Sequence, residues 1–142
     1  LVQRVLRGQG TATGAFLSSK VDGSLPELDK RAPFDQARAR ALLAEAGYPN
    51  GFSVLFECVN VPVREATCQA MAAMLAQVGI RAHFRSLPTN QFFPKLSTGT
   101  VVLAEFGWTP QIDPWNSLNG LFRTFAPGGF GTFNAGRYSN PK

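Results

Sequence analysis

The stretch FDQARARALLAEAGYPNGFSVLF, residues 34–56, joins a helix to a strand and decides which fold this chain can adopt. Asp35 can accept hydrogen bonds from the free backbone N–H groups of the first helical turn. Gly47 stands where a left-handed residue closes a helix. Beyond it, a run of Phe, Val and Leu is typical of a buried strand. The stretch therefore predicts a helix over 35–46 and a strand over 52–59.

The same alternation of helix and strand continues along the chain. Apolar residues recur at helical spacing before Gly79, and strand-like runs follow. Strands that alternate with helices at this spacing indicate βαβ units and parallel pairing. We therefore predict an α/β fold, with a mostly parallel sheet built from βαβ units and with flanking helices. The further elements expected are a helix over 63–78, a strand over 81–87, a short helix over 90–96, a strand over 100–108 and a helix from 113 or 114 to 122.

The two ends of the chain suggest that it belongs to something larger. Residues 1–6 have the pattern of a helix tail, so an apolar pattern is already under way at Leu1. The last residues stop without a terminating element. We expect residues 1–142 to form a single domain of a longer protein, with residues 11–33, rich in Thr, Gly, Ser and Pro, as a long surface segment within it.

Composition excludes several classes of protein. Of the 142 residues, 44% are hydrophobic and 16% are charged, which favours a globular domain with a core over a disordered chain. The net charge is +5, but the fourteen Lys and Arg are scattered and form no run of like charge. A solvated basic surface is therefore favoured over a nucleic-acid interface. No apolar stretch has the length that a membrane helix needs.

The cysteines and the histidine give no clear catalytic signal. Cys58 and Cys68 lack the spacing of a metal site or a redox motif. They are compatible with a disulfide in an oxidising compartment and equally with two buried free thiols. Cys68 shares a helical face with apolar residues, so burial is expected. The single histidine, His83, lies in an alternating strand without a partner nearby.

The usual signatures of enzymes are missing from the sequence. There is no serine elbow, no metal-ligand spacing and no glycine-rich loop between a strand and a helix, so we expect no metal and no cofactor. One enzymatic alternative stays open. A small α/β enzyme could place its site at the carboxyl ends of the strands near Trp108 and use Asp113 with Glu105 or His83.

Ligands of open parallel sheets bind beyond the carboxyl ends of the strands. Here the first strand ends beside Asn60, and the third ends at Gly107, Trp108 and Thr109. Tryptophan offers a flat apolar face and one N–H donor, and glycine lets a ligand approach the backbone. Asp113 could pair with a ligand ammonium group, although an Asp-Pro-Trp sequence favours a helix cap.

Five segments in this order resemble one family, the extracellular solute-binding proteins of bacterial ABC importers, in its oligopeptide and dipeptide-binding branch (family 5). The resemblance covers nearly the whole chain, and the order of the segments makes it specific. The segments are VLRGQGTATGAF (5–16), FDQARARALLAEAGYPNGFSVLF (34–56), MAAMLAQVGIRAHF (71–84), FGWTPQIDPWNSLNGLF (106–122) and FNAGRYSNPK (133–142).

The resemblance implies a role for the whole protein. It would be the substrate-binding component of an ABC importer, not an enzyme, and it would bind a peptide or another small solute in the periplasm of a Gram-negative bacterium, its signal peptide lying outside this chain. Two lobes of a type II-like binding protein would close on the solute. This chain would be most of the C-terminal lobe. Its partners would be the missing N-terminal lobe of the same protein and the membrane permease, with no nucleic acid.

The resemblance also assigns the ligand-binding residues. Trp108 matches the tryptophan of the family's cleft and would stack on the solute. Gly107 and Thr109 would offer backbone hydrogen bonds. The polar groups would come from Asn60, Gln111 and Asp113.

Two positions depart from the peptide-binding members. Gln111 stands where they carry the aspartate that holds the peptide's amino terminus, and Cys58 stands where some dipeptide binders use an arginine. The solute therefore stays open: either Asp113 takes over the role of the missing acid, or the solute is not a zwitterionic peptide. Members of the family also carry nickel chelates, opines, glutathione and sugars.

Overall fold

The computed structural model describes residues 1–109 and 113–140, and they fall into two compact units. The first unit comprises Leu1–Ala12, Ala32–Thr89 and Val102–Phe106. The second comprises Thr13–Arg31, Asn90–Val101 and the described residues from Gly107 onwards. Along the chain, the elements are a 3-10 turn (Pro26–Leu28), α1 (Gln36–Glu45), β1 (Phe52–Val59), α2 (Pro62–Ala76), β2 (Ile80–Leu87), α3 (Thr89–Thr98), β3 (Leu103–Glu105) and α4 (Trp115–Leu121).

Helix α1 begins and ends as its sequence predicts. The carboxylate of Asp35 accepts a hydrogen bond of 2.8 Å from the backbone N–H of Arg38. At the other end Gly47 has a φ of 88°, and the Tyr48 N–H donates to the carbonyl of Leu43 at 2.8 Å. This 6→1 hydrogen bond is that of a Schellman motif and satisfies a carbonyl that the helix leaves free.

The three strands form a parallel sheet in the order β2-β1-β3, which confirms the predicted fold class. Phe52 lies opposite Ile80 at one end of the β1–β2 pair. Just before that pair, Gly51 and Gly79 approach so closely that a Cβ at Gly51 would lie 1.9 Å from the Gly79 carbonyl oxygen. Glycine at position 51 is therefore required by the pairing itself.

Helix α2 covers one face of this sheet and carries half of a disulfide. Cys58 of β1 and Cys68 of α2 are joined, and both are fully buried with Phe56. The sequence left open whether these cysteines pair or stay free, and the structure shows that they pair. Partly buried hydrophobic residues surround this cluster: Met71, Ala72, Ala82, Phe84 and Leu103.

Some predicted boundaries differ from the structure. β3 covers Leu103–Glu105, and not 100–108, because its ladder pairs only with Phe56–Cys58 of β1. An apolar run shows that a segment can pair, but it does not show how many residues have a neighbour to pair with. Residues 1–6 form turns instead of a helix, and the Leu1 carbonyl accepts hydrogen bonds from the N–H groups of both Val5 and Leu6.

The second unit has little regular structure, and side chains hold its loops. Asp29 accepts hydrogen bonds from the Thr13 hydroxyl at 2.7 Å and from the backbone N–H groups of Gly14 and Ala15. The buried Asn134 amide donates to the carbonyls of Arg123 and Tyr138. Residues 13–31 are exposed over most of their length, with Val21 buried. None of the helices in the described part of the chain has the length and apolarity to cross a bilayer.

Candidate ligand-binding site

In the first unit, the carboxyl ends of β1 and β2 lie side by side. Val59 is opposite Leu87 at the end of the ladder, and the Asn60 N–H donates to the Leu87 carbonyl at 2.9 Å. The Asn60 residue is exposed. Its position immediately after β1 is therefore the predicted one, and its role as a ligand-binding residue stays a prediction.

The acidic groups near these strand ends are bound to neighbours. Glu105 at the end of β3 forms an ion pair of 2.8 Å with Arg64 of α2. Glu65 accepts a hydrogen bond from the hydroxyl of Ser86. Glu105 pairs in register with Cys58, whereas His83 pairs with Leu55, so strand alternation puts Glu105 and His83 on opposite faces of the sheet. The enzymatic alternative combines Asp113 with either one of them, and of these two Glu105 is already engaged by the ion pair with Arg64.

One group of potential metal ligands lies at the same place. The two sulfur atoms of Cys58 and Cys68 and a carboxylate oxygen of Glu105 are all within 4.8 Å of one another. The sulfurs are joined in the disulfide, and a metal is bound by thiolate sulfur. While the disulfide is formed, Cys58 and Cys68 therefore offer no thiolate to a metal ion.

In the second unit, Trp108 lines a cavity of about 270 Å³. We call it the Trp108 cavity. The indole is half-buried, and its ring centroid lies 5.3 Å from that of Phe133 in an edge-on arrangement. On another side, the indole carbons are in ordinary van der Waals range of a Cβ built on Gly120. The residues that line the cavity are Thr13, Phe16, Leu17, Ser18, Trp108 and Ser117.

The aromatic contacts explain why the indole is held in one orientation. Phe133 also meets Phe93 edge-on at 6.1 Å, and Phe93 meets the fully buried Phe92 at 5.6 Å. Edge-to-face pairs at these distances add to the stabilisation from burial. Trp108 is therefore held at one end of a row of aromatic rings, and it also lines the cavity.

The other predicted site residues near Trp108 have different surroundings. Gly107 and Thr109 are exposed. The carboxylate of Asp113 accepts a hydrogen bond of 2.8 Å from the Trp115 N–H and so holds the turn that leads into α4, whereas the N-cap residue of this helix is Pro114. Gln111 lies outside the described residues.

Sequence reasoning missed the residues that share the cavity with Trp108. Thr13, Phe16, Leu17 and Ser18 come from the segment expected to be mere surface, and Ser117 lies on α4. The available signal was that Phe16 and Leu17 are large apolar residues within a polar stretch. Nothing in their spacing links them to Trp108, because the contact is made across about ninety residues of chain.

A second apolar pocket, of about 380 Å³, lies against the same segment of the second unit. Phe16 and Phe122 meet edge-on there, with ring centroids 4.6 Å apart. Leu25 and Leu118 also line it and are exposed. Phe16 therefore separates two spaces, and only the Trp108 cavity includes a tryptophan and several hydroxyl groups.

Comparison with known proteins identifies the family. Residues 1–129 match the sequence model of the family described as Bacterial extracellular solute-binding proteins, family 5 Middle. This chain belongs to that family. The match covers both units of the structure, and the family is one of binding proteins, which agrees with the resemblance found in the sequence.

Individual relatives show how large a share of such a protein the chain represents. The glutathione-binding protein GsiB of Pectobacterium atrosepticum is 37% identical, over all of this chain and 28% of its own length. Heme-binding protein A of Haemophilus influenzae is 27% identical, over 99% of this chain and 26% of its own length. The chain thus spans about a quarter of these relatives.

A solved structure confirms the fold. The periplasmic binding protein DppA of Helicobacter pylori, in complex with the peptide STSA, superimposes with a TM-score of 0.81. The superposition covers 99% of this chain and 27% of DppA, at 24% sequence identity. The α/β arrangement is therefore the one found in periplasmic binding proteins.

Proposed function

We propose that this chain is part of the substrate-binding component of an ABC importer, which binds a peptide or peptide-like solute. The observation that carries the proposal is the Trp108 cavity, where a fixed indole faces a space lined by apolar and hydroxyl groups. Family membership supports it, and so do relatives whose names record binding of glutathione and of a peptide.

The proposed mechanism is closure of two lobes around the solute, with this chain as most of the C-terminal lobe. Trp108 stacks on the solute, and the exposed backbone of Gly107 and Thr109 offers hydrogen bonds. Asp113 is left as a secondary contact, since one of its oxygens already binds the Trp115 N–H. No catalytic step is proposed, so the protein releases its solute unchanged to the permease.

We place the protein in the periplasm. The Cys58–Cys68 disulfide supports this location, because disulfides persist in oxidising compartments and are rare in the cytosol. The name of the DppA relative records a periplasmic protein. The remaining partners are the rest of the same polypeptide, which supplies the other lobe, and the permease.

The test uses the full-length protein purified from the periplasm without refolding. The bound solute is released with mild denaturant and identified by mass spectrometry. Its affinity is then measured for the wild type, for Trp108→Ala and for a control, Trp115→Ala. Trp115 is 60% exposed and does not line the cavity. We expect Trp108→Ala to weaken binding about tenfold or more, since a large buried apolar contact is lost, and the control to bind normally.

Other outcomes test the solute class, the role of the cavity and the closure of two lobes separately. A sugar, an opine or a metal chelate in place of a peptide would keep the transport role and exclude the peptide. Unchanged affinity of Trp108→Ala would remove the cavity from the site. The isolated chain should bind the released solute very weakly, because most of the binding surface lies outside it. Micromolar affinity of the isolated chain in calorimetry would contradict two-lobe closure.

A further inference from the structure

The Trp108 cavity has an uncharged lining, as far as the described residues show. Phe16, Leu17 and Trp108 supply apolar surface, and the remaining lining residues each carry one hydroxyl. A charged group that enters such a cavity loses its hydration and finds no opposite charge. The lining therefore suits a neutral group.

Two of the three hydroxyls are already engaged. The Thr13 hydroxyl donates to Asp29 at 2.7 Å and accepts from the Ala15 N–H at 3.1 Å. The Ser18 hydroxyl accepts from the Lys20 N–H at 3.3 Å. Both therefore serve mainly to shape the segment that forms one wall of the cavity.

The third hydroxyl, on Ser117, has no such engagement. Ser117 is 2% exposed, and within the described part of the chain no hydrogen-bond partner is found for its side chain. No buried side-chain oxygen or nitrogen of the described residues is left without a partner, so this hydroxyl is open to the cavity and to water within it. An apolar group that displaces this water leaves the hydroxyl unpaired, whereas a polar group replaces the lost hydrogen bond. Among the three lining hydroxyls, that of Ser117 is thus the one without a hydrogen bond to the described residues, in a space that is mainly apolar.

Asp29 bonds to the segment that forms one wall of the cavity, but its negative charge does not make the cavity favourable for a cation. Asp29 is bound to the Thr13 hydroxyl and to two backbone N–H groups of the same segment. Its carboxylate does not line the cavity. A cation inside the cavity would therefore have to displace these hydrogen bonds to reach it.

The volume of the cavity limits what can enter. About 270 Å³ holds roughly nine water molecules at about 30 Å³ each, and pockets for whole ligands run from about 300 to 1,000 Å³. The cavity is therefore the right size for one side chain of a solute and too small for the whole of it.

We propose that the Trp108 cavity is a specificity pocket that accepts one neutral side chain of the solute, preferably one with a hydroxyl or amide group that hydrogen-bonds to Ser117. The proposal rests on the proposed function for the existence of a solute. It adds the chemical class of the group that the cavity selects, and it names Ser117 as the residue that distinguishes polar from purely apolar side chains.

The test uses small probes, so that it does not depend on the solute's identity. The full-length protein is labelled with 5-fluorotryptophan, and the resonance of Trp108 is assigned by its loss in Trp108→Phe. N-acetyl, N′-methylamide derivatives of valine, threonine, aspartate and lysine are titrated while this resonance is followed. The same titrations are run with Ser117→Ala and with a control, Ser97→Ala, whose hydroxyl bonds to the Pro94 carbonyl away from the cavity.

We expect the valine and threonine probes to shift the Trp108 resonance and the aspartate and lysine probes to bind at least about tenfold more weakly. Threonine should bind about three- to tenfold more tightly than valine, and this preference should vanish in Ser117→Ala but not in the control. Equal binding of a charged probe, or no shift with any neutral probe, would overturn the proposal. If the neutral probes bind but the full-length protein carries no transported solute, the specificity pocket stands and the proposed function fails.

Discussion

In the first unit, backbone hydrogen bonds follow three paired strands and two helices, and a disulfide joins β1 to α2. In the second unit, side chains hold loop backbone in place: Asp29 fixes residues 13–15, Asn134 spans Arg123 to Tyr138, and Arg137 donates to the Ser97 carbonyl at 2.9 Å. The first unit is stabilised by repeated local patterns, and the second by single contacts between distant positions.

This difference determines how each unit should respond to mutation. The first unit has many equivalent backbone hydrogen bonds, so losing one of them should matter little. It should be most sensitive to substitution where two backbone segments approach too closely to leave room for a side chain. A unit that depends on single side chains should be sensitive wherever one of them is removed. Since the Trp108 cavity lies wholly in the second unit, its shape depends on contacts of the second kind.

Gly51→Ala should have the largest effect. The added Cβ would lie 1.9 Å from the Gly79 carbonyl oxygen, and the residue has a φ of 70°. Because backbone on both sides must move, we expect a loss of about 3 kcal/mol or more in the free energy of unfolding, measured by urea titration. Gly23→Ala is the control, since Gly23 has a φ of 79° but nothing within 4 Å of the new Cβ. It should cost about 1–2 kcal/mol, and equal losses would show that backbone strain alone is responsible.

Asn134→Leu should have an intermediate effect. The substitution keeps the branched shape of the side chain but removes two donated hydrogen bonds and one accepted from the Tyr138 N–H at 3.0 Å. Three backbone groups of Arg123 and Tyr138 would lose their partner beside this buried side chain, so we expect a loss of about 2–3 kcal/mol in the same urea titration. Asn116→Leu, at an exposed position of α4, should change stability little. An Asn134→Leu variant as stable as the wild type would contradict the view that single side chains hold this unit.

Asp29→Asn should have the smallest effect on stability, and the size of that effect should depend on pH. The hydrogen bond from the Gly14 N–H, followed by that from the Thr13 hydroxyl, lowers the pKa of Asp29 below its ordinary value. Because the folded pKa is the lower one, the carboxylate stabilises the segment above about pH 4, and this contribution is lost as the pH falls through the folded pKa. The amide proton shifts of Gly14 and Ala15, followed by NMR from pH 7 to pH 2, should show this transition.

In Asp29→Asn the acid transition of these two amides should be absent, whereas Asp22→Asn, a change at an exposed acid of the same segment, should leave it in place. If Asp22→Asn also removes the transition, the amides respond to the general charge of the segment and not to their hydrogen bonds with Asp29.

The first unit was largely predictable because its signals are local. Asp35, Gly47 and the strand over 52–59 each specify a structure within a few residues, and the structure has them where the sequence predicts them. The length of β3 was not predictable, since it depends on where its neighbour β1 offers free edge groups. The state of Cys58 and Cys68 also stayed open, because ten residues of separation permit a disulfide without requiring it.

The site was predictable only in part. Trp108 was singled out by its place at the end of a predicted strand and by the resemblance to the family. The Asp-Pro-Trp context of Asp113 pointed to a local role at the start of α4, where its carboxylate accepts from the Trp115 N–H. The rest of the cavity lining could not be predicted. Phe16 lies far from Trp108 in the sequence, and no repeating pattern of residue types shows that Phe16, Ser117 and Trp108 line the same cavity. The proposed role of Ser117 depends on its place in the cavity wall, and a sequence cannot show which serine lies there.

The Cys58–Cys68 disulfide has a consequence for the order in which the chain is assembled. It closes a loop of only ten residues, and both cysteines precede β2 in the chain. Closing a loop of this size takes about 10–100 ns, whereas thiol oxidation takes seconds or longer. As the polypeptide emerges from N terminus to C terminus, the end of β1 and the start of α2 can thus be joined covalently before β2 and β3 arrive. The two later strands then bring Ala82, Phe84 and Leu103 against the disulfide, and only with them do its sulfur atoms pass out of reach of reductants.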